Sequence, residues 1–223
     1  MKSNELSFRP AAAIFDMDGL MFDTERPFVP LWAQAAKNHG YDIPAEVIYR
    51  MIGITNESAR AVMQNEYGLD FPYDKVRDEL RTLLNEEYEK NGIQHKKGLS
   101  FLLNHLSAAK IPLAVATSTS KNRAMEMLEK AGVLEYFANV TGGNEIVNSK
   151  PAPDIFLLAA EKLGVHPSCC AGFEDSTAGL KALHAAGIRS VFIKDIVQPP
   201  PEVLAAVWRV YDDLAQAAEL FEF

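Results

Sequence analysis

Asp16-Met17-Asp18-Gly19 places two carboxylates two residues apart, directly after the apolar run Ala11-Ala12-Ala13-Ile14-Phe15. A carboxylate can attack as a nucleophile, carry a proton or ligate a hard cation, and a pair can divide those tasks. Two charges released together at the end of a buried strand are not explained by packing, because an unpaired buried carboxylate is strongly destabilising. A metal ion is the expected compensation. Gly19 lets the backbone turn at once. Alone, such a motif also fits a solvated turn, so its meaning depends on the rest of the chain.

Three further segments combine chemistry-bearing residues with a strand end. Thr117-Ser118-Thr119-Ser120 is a hydroxyl-rich turn before a helix, suited either to holding a phosphate oxygen or to capping by Ser118 or Ser120. Lys150, in Ser149-Lys150-Pro151-Ala152-Pro153, is a long cation on a loop stiffened by two prolines, or an ordinary surface lysine. Glu174-Asp175-Ser176 is a second acidic pair, with Ser176 placed to cap the next helix. Glu174 and Asp175 with Asp16 would complete an oxygen shell for Mg²⁺. The order acid, hydroxyl, lysine, acid along one chain makes the conjunction far more specific than any member.

The elements that must position these residues read as a doubly wound parallel α/β sheet interrupted by a helical insert. Strands are expected at Ala11 to Phe15, Ile111 to Ala116, Phe137 to Thr141, Cys169 to Phe173 and Ser190 to Ile193, alternating after Gly98 with amphipathic helices. From Pro44 to Gly92 the pattern is helical throughout, with Val76, Leu80, Leu83, Leu84 and Tyr88 at 3.6-residue spacing. A helix is expected over Leu31 to His39, and the linkers to the insert near Phe22 to Pro30 and Asn91 to Lys97. The domains are therefore 1–23 with 92–223, a discontinuous catalytic core, and 24–91, a small helical domain.

With 223 residues, 48% hydrophobic and 23% charged, the chain can bury a proper core. A net charge of −8 argues against nucleic acid as a partner, though not against a phosphorylated small molecule. No apolar run is long enough to span a bilayer. The adjacent Cys169 and Cys170 suit a reducing cytoplasm and are expected as small core side chains. The five histidines show no metal-ligand spacing. Leu204, Val207, Trp208 and Tyr211 are expected to pack on the sheet, with a dimer face the alternative; a monomer is the leading expectation and a homodimer the second.

Asp16-Met17-Asp18-Gly19-Leu20, Ala116-Thr117-Ser118, Lys150-Pro151 and Gly172-Phe173-Glu174-Asp175-Ser176 together resemble the four motifs of the haloacid dehalogenase superfamily, over nearly the whole chain. The helical insert and Asp23-Thr24-Glu25 are similar to the branch holding β-phosphoglucomutase and small-molecule phosphatases, in which the insert is a cap. The resemblance implies a Rossmann-like core, Asp16 as nucleophile, Asp18 as general acid and base, and Ser118, Thr119 and Lys150 as phosphate holders. It also implies Mg²⁺ held by Asp16, Asp175 and the backbone carbonyl of Asp18, with Glu174 as a ligand or a support for one. The cap would close over the substrate and select it.

The expected activity is that of a Mg²⁺-dependent phosphatase of a sugar phosphate or nucleotide-like monophosphate, acting through an aspartyl-phosphate. Mutases of the branch carry a histidine where this chain has Phe28 and an arginine near Asn56, which places the mutase second. A phosphate-binding regulatory module without catalysis is a third reading. Gly53 and Asn56, in the loop Ile52-Gly53-Ile54-Thr55-Asn56-Glu57, are the candidate substrate contacts, Asn56 being equally placed to cap its helix; Arg50 is read as part of a solvated helix face.

Overall fold

The computed structural model describes residues 8–52, 54, 56–196 and 198–222. Six strands, β1 (Ala12–Phe15), β2 (Leu113–Thr117), β3 (Asn139–Gly142), β4 (Cys170–Glu174), β5 (Arg189–Ile193) and β6 (Arg209–Tyr211), form one sheet in the order β3-β2-β1-β4-β5-β6. Every pairing is parallel. The winding reverses at β1, with β2 and β3 on one side and β4 to β6 on the other. In such sheets the crevice for chemistry opens beyond the carboxyl ends of the strands flanking the reversal, here β1 and β4.

The central strands are apolar throughout because both of their faces are covered. Ala12 and Ile14 pack with Ile155 and Phe156 of α7 (Asp154–Leu163) and Leu183 of α8 (Thr177–Ala185). Phe15 stacks on Phe173 of β4 at 4.5 Å between ring centroids and meets Phe137 edge-on at 6.0 Å. The register pairs Phe15 with Phe173, so the two chains leave the sheet side by side, one into Asp16 and the other into Glu174. Helix α5 (Leu99–Ala108) buries Leu99, Leu102, Leu103 and Leu106, a stripe at helical spacing. Truncating Leu103 to alanine would remove burial stabilisation of about 2–5 kcal/mol.

The chain divides into two compact units. One comprises the residues up to Phe22 and from His95 onward, and carries the sheet. The other, Asp23–Gln94, is helical: α1 (Glu25–Asn38), α2 (Ala45–Tyr49), α3 (Asn56–Tyr67) and α4 (Tyr73–Asn91) enclose a core of Trp32, Ile48, Met63, Val76 and Leu80. Among the described residues no helix is long and apolar enough to cross a membrane.

The observed elements correct several sequence expectations. Helix α1 starts at Glu25, inside the stretch read as a linker; Pro27 falls in the first turn, whose N–H groups need no helical partner, and Pro30 is carried within the helix. Cys169 ends a short 3₁₀ turn, Pro167–Cys169, and is exposed, so only Cys170 is a core side chain; its burial pushes the thiol up to about 11. Strand β3 lies two residues later than expected at its start. The edge strand β6 was not expected, being three residues long and too short for any periodicity.

Candidate active site

Asp16 follows β1 and donates its backbone N–H to the carbonyl of Phe173 at 3.1 Å, which pins it to the end of β4. Beyond it the chain turns sharply: Met21 N–H returns to Met17 O at 2.9 Å, and Gly19, at φ 83°, supplies the left-handed residue. The Asp16 carboxylate is buried, and Lys150 Nζ lies 2.5 Å from its Oδ1. The same ammonium lies 2.6 Å from Glu174 Oε1. Lys150 is thus a buried bridge between two strand ends rather than a surface lysine, and its Nζ also sits 4.8 Å from the centre of the Phe156 ring.

Glu174 is wholly enclosed. Its second oxygen accepts the backbone N–H groups of Asp175 at 3.0 Å and Ser176 at 2.9 Å, together with the Ser176 hydroxyl at 2.9 Å. These N–H groups stand at the start of α8, where the helix dipole favours an anion. Ser176 is the N-cap, accepting from Gly179 N–H at 3.0 Å, so the expected cap is present. Gly179 is there for space: a Cβ at this position would fall 1.7 Å from Glu174 Oε1.

Ligand oxygens of Asp16, Glu174 and Asp175 all lie within 4.8 Å of one another, all three residues being buried. Among the described residues this is the one such group of His, Cys, Asp or Glu, and no histidine belongs to it. Three carboxylates facing one ammonium leave two negative charges uncompensated when all are ionised. Burial, reinforced by Glu174 and Asp18, outweighs the pull of Lys150 and pushes Asp16 up to about 8. Although burial acts against it, the Lys150 ammonium is held by Asp16 and Glu174 and its pKa is raised. An all-oxygen donor set with this charge excess fits a hard divalent cation.

Asp18 belongs to a different arrangement. Its carboxylate accepts the hydroxyls of Thr119 at 2.9 Å and Thr117 at 3.3 Å, and the Thr117 oxygen in turn accepts Thr119 N–H at 3.1 Å. Burial raises the Asp18 pKa against these two hydroxyls and the Arg123 charge. Thr117 was named in the sequence only as part of a hydroxyl-rich turn, and Thr119 as a phosphate holder; here both orient an acid. Ser118, between them, is exposed. Capping of the following helix α6 (Lys121–Lys130) by a serine is not observed: Ser120 occupies the cap without a side-chain bond, and Lys121 N–H goes to Asn144 Oδ1 at 2.8 Å.

In the helical unit, Asn56 is the first residue of α3 and exposed, while Gly53 lies outside the described residues. Arg50 pairs with Glu66 at 2.9 Å, as a solvated helix residue would.

The sequence model of the family "Haloacid dehalogenase-like hydrolase" matches residues 13–193. A Drosophila melanogaster protein named "Probable pseudouridine-5'-phosphatase" is 34% identical over 201 residues, 86% of this chain and 85% of its own length. The Escherichia coli protein named "Fructose-1-phosphate phosphatase YqaB" is 30% identical over 193 residues, 83% of this chain and 97% of its own. The crystal structure of β-phosphoglucomutase from Clostridium difficile superposes with a TM-score of 0.76 at 26% identity, covering 95% of this chain and 97% of that one.

Proposed function

The chain belongs to the haloacid dehalogenase-like hydrolase family and is a hydrolase of phosphomonoesters, and from that premise we propose that it dephosphorylates a small phosphorylated metabolite through an aspartyl-phosphate on Asp16. The observation that carries this reading is the separation of two acids two residues apart. Asp16 lies in a buried acidic cluster with Lys150, while Asp18 is turned away onto Thr117 and Thr119.

Asp16, Glu174 and Asp175 would hold Mg²⁺, which when bound draws charge from the phosphoryl oxygens and lowers the repulsion met by an anionic nucleophile. Lys150 has three N–H donors, two directed at Asp16 and Glu174, and the third would bind a phosphoryl oxygen. The Ser118 hydroxyl, exposed at the end of β2, would bind another. The Asp16 carboxylate attacks phosphorus as the bond to the ester oxygen breaks, and Asp18, protonated, gives its proton to the departing alkoxide. Water then attacks the acyl phosphate, Asp18 takes the proton, and inorganic phosphate leaves with Asp16 restored. The raised Asp18 pKa favours the protonated form that the first step needs.

The substrate class follows the relatives' names, a phosphorylated sugar or a nucleotide-like sugar phosphate, with the helical unit proposed as the cap that selects it. The test is phosphate release across a panel of such esters with Mg²⁺. Asp16→Asn and Asp18→Asn should each abolish it; full activity in either variant defeats the mechanism. Isomerisation of a hexose phosphate on adding a hexose bisphosphate, without phosphate release, would replace this reading by a mutase.

A further inference from the structure

The carboxyl ends of β2 and β3 meet at backbone distance. Gly142 pairs with Thr117 in the sheet, and a short 3₁₀ turn, Gly143–Glu145, follows it. A Cβ on Gly142 would fall 2.2 Å from Lys121 N, and one on Gly143 would fall 2.3 Å from Ser118 O. Two glycines in succession therefore let this turn lie directly against residues 118–121. Two hydrogen bonds join the segments: Gly143 N–H donates to Thr119 O at 2.9 Å, and Lys121 N–H donates to Asn144 Oδ1 at 2.8 Å. They grip the two peptide groups on either side of Ser120. Glu145 holds the turn itself in place, accepting Gly142 N–H at 2.9 Å and the Lys162 ammonium at 2.9 Å.

We propose that Asn144 is a positioning residue for proton transfer: by capping α6 from a neighbouring strand end it sets the backbone of Thr119, whose hydroxyl holds Asp18. The proposal rests on the reading of Asp18 as the acid that protonates the leaving oxygen. Thr119 has both backbone groups engaged, its N–H with Thr117 Oγ1 at 3.1 Å and its carbonyl with Gly143. Its hydroxyl thus reaches Asp18 Oδ2 from a unit that cannot rotate without breaking one of those bonds. Helix α6 begins at Lys121, whose N–H finds no carbonyl within the helix. Ser120 occupies the cap position and makes no side-chain bond, so the task falls to Asn144, 23 positions away in sequence. An amide oxygen accepts that N–H; an alanine would leave it to solvent and release the segment from the turn. Only residues 118–120 separate the end of β2 from the start of α6, so a shift at Lys121 passes to Thr119 instead of being absorbed on the way.

A pair of aryl esters tests this. Phenyl phosphate and 4-nitrophenyl phosphate are alike around the phosphorus, but phenoxide needs a proton as it leaves far more than nitrophenoxide does. In Asn144→Ala, a change at an exposed position, kcat/KM should fall about fivefold for phenyl phosphate and by about twofold or less for 4-nitrophenyl phosphate. Asn144→Asp, which keeps an acceptor oxygen, should restore the parent ratio. Adding Asn144→Ala to Thr119→Val should cost nothing beyond Thr119→Val alone, because Asn144 acts only through that hydroxyl. A cap that serves folding alone would lower both esters equally, or move only the melting temperature. Either result overturns the proposal, as does a double variant whose losses simply add. If Thr119→Val selects between the esters and Asn144→Ala does not, Asn144 has no positioning role and Asp18 keeps its own; if neither selects, Asp18 is not the acid that serves the leaving group.

Discussion

The Thr119 hydroxyl donates to the Asp18 carboxylate at 2.9 Å, across 101 positions of sequence. In the proposed mechanism this bond keeps Asp18 free for proton transfer, because the carboxylate it holds cannot turn toward the Asp16 cluster without losing it. Replacing Thr119 by valine keeps the shape and removes the donor. The expected result is a fall in kcat of about tenfold with KM little changed, and recovery in Thr119→Ser. If Thr119 instead held the phosphate, the valine variant would raise KM, and steady-state kinetics on one phosphate ester separates the two.

Lys150 joins Asp16 and Glu174, so its loss leaves two buried carboxylates facing each other. Lys150→Met should destabilise the fold by about 3–5 kcal/mol and lower the melting temperature by roughly 10 °C. Activity should fall by about two orders of magnitude. Calorimetry and phosphate release measure both, and a variant as stable as the parent would contradict the bridging role.

Gly179 stands where the Glu174 carboxylate needs room. Gly179→Ala adds a methyl group that Glu174 can avoid only by leaving Lys150 or the N–H groups of Asp175 and Ser176. Loss of most activity is expected, although alanine ordinarily strengthens a helix relative to glycine by about 1 kcal/mol. Higher stability with unchanged turnover would show that Glu174 has another way to sit.

Removal of divalent cations by a chelator should abolish turnover, and Mg²⁺ should restore it. Saturating Mg²⁺ should also raise the melting temperature, since a ligand at a hundred times its Kd adds about 2.7 kcal/mol to stability. Asp175→Asn should reduce that rise by half or more. A rise that is unchanged in this variant would place the cation elsewhere.

Glu145 supplies a pH test outside the acidic cluster of Asp16, Glu174 and Asp175. Burial raises its pKa, but the Gly142 N–H and the ammonium groups of Lys162 and Lys121 overcome it and hold Glu145 at about 2. A group lowered on folding stabilises the fold above its unfolded value near 4.5 and loses that contribution as pH falls toward 2. After allowance for solvent screening the contribution is at most about 2 kcal/mol. Urea unfolding should show Glu145→Gln less stable than the parent at pH 6, with the gap closing between pH 4.5 and about 2.

The strand ends were legible because buried parallel strands are apolar without interruption, so the first charged residue after each one marks the rim. Asp16, Glu174 and Asp175 could therefore be placed from their immediate neighbours. The partition of the hydroxyls could not. Thr117 and Thr119 reach Asp18 only because β1 and β2 pair in one particular register, a relation between segments that neither segment states alone. Gly179 was equally silent, since a glycine inside a helix reads as a weak helix former until the carboxylate beside it is seen. Lys150 was named as a phosphate holder, but its burial was not legible for the same reason: it depends on Phe156 and on two strand ends distant in sequence.

Strand β1 is made before the other five strands but lies in the middle of the sheet, and its neighbour β4 begins at Cys170. Until the ribosome has passed that point, one edge of β1 has no strand to accept its hydrogen bonds, and Asp16 has neither Glu174 nor Asp175 beside it. The acidic cluster consequently comes into being only after Glu174 and Asp175 have been made. A nascent chain, or one ending before Cys170, carries Asp16 without its two acidic partners, and exposes an adhesive edge that a chaperone would need to shield.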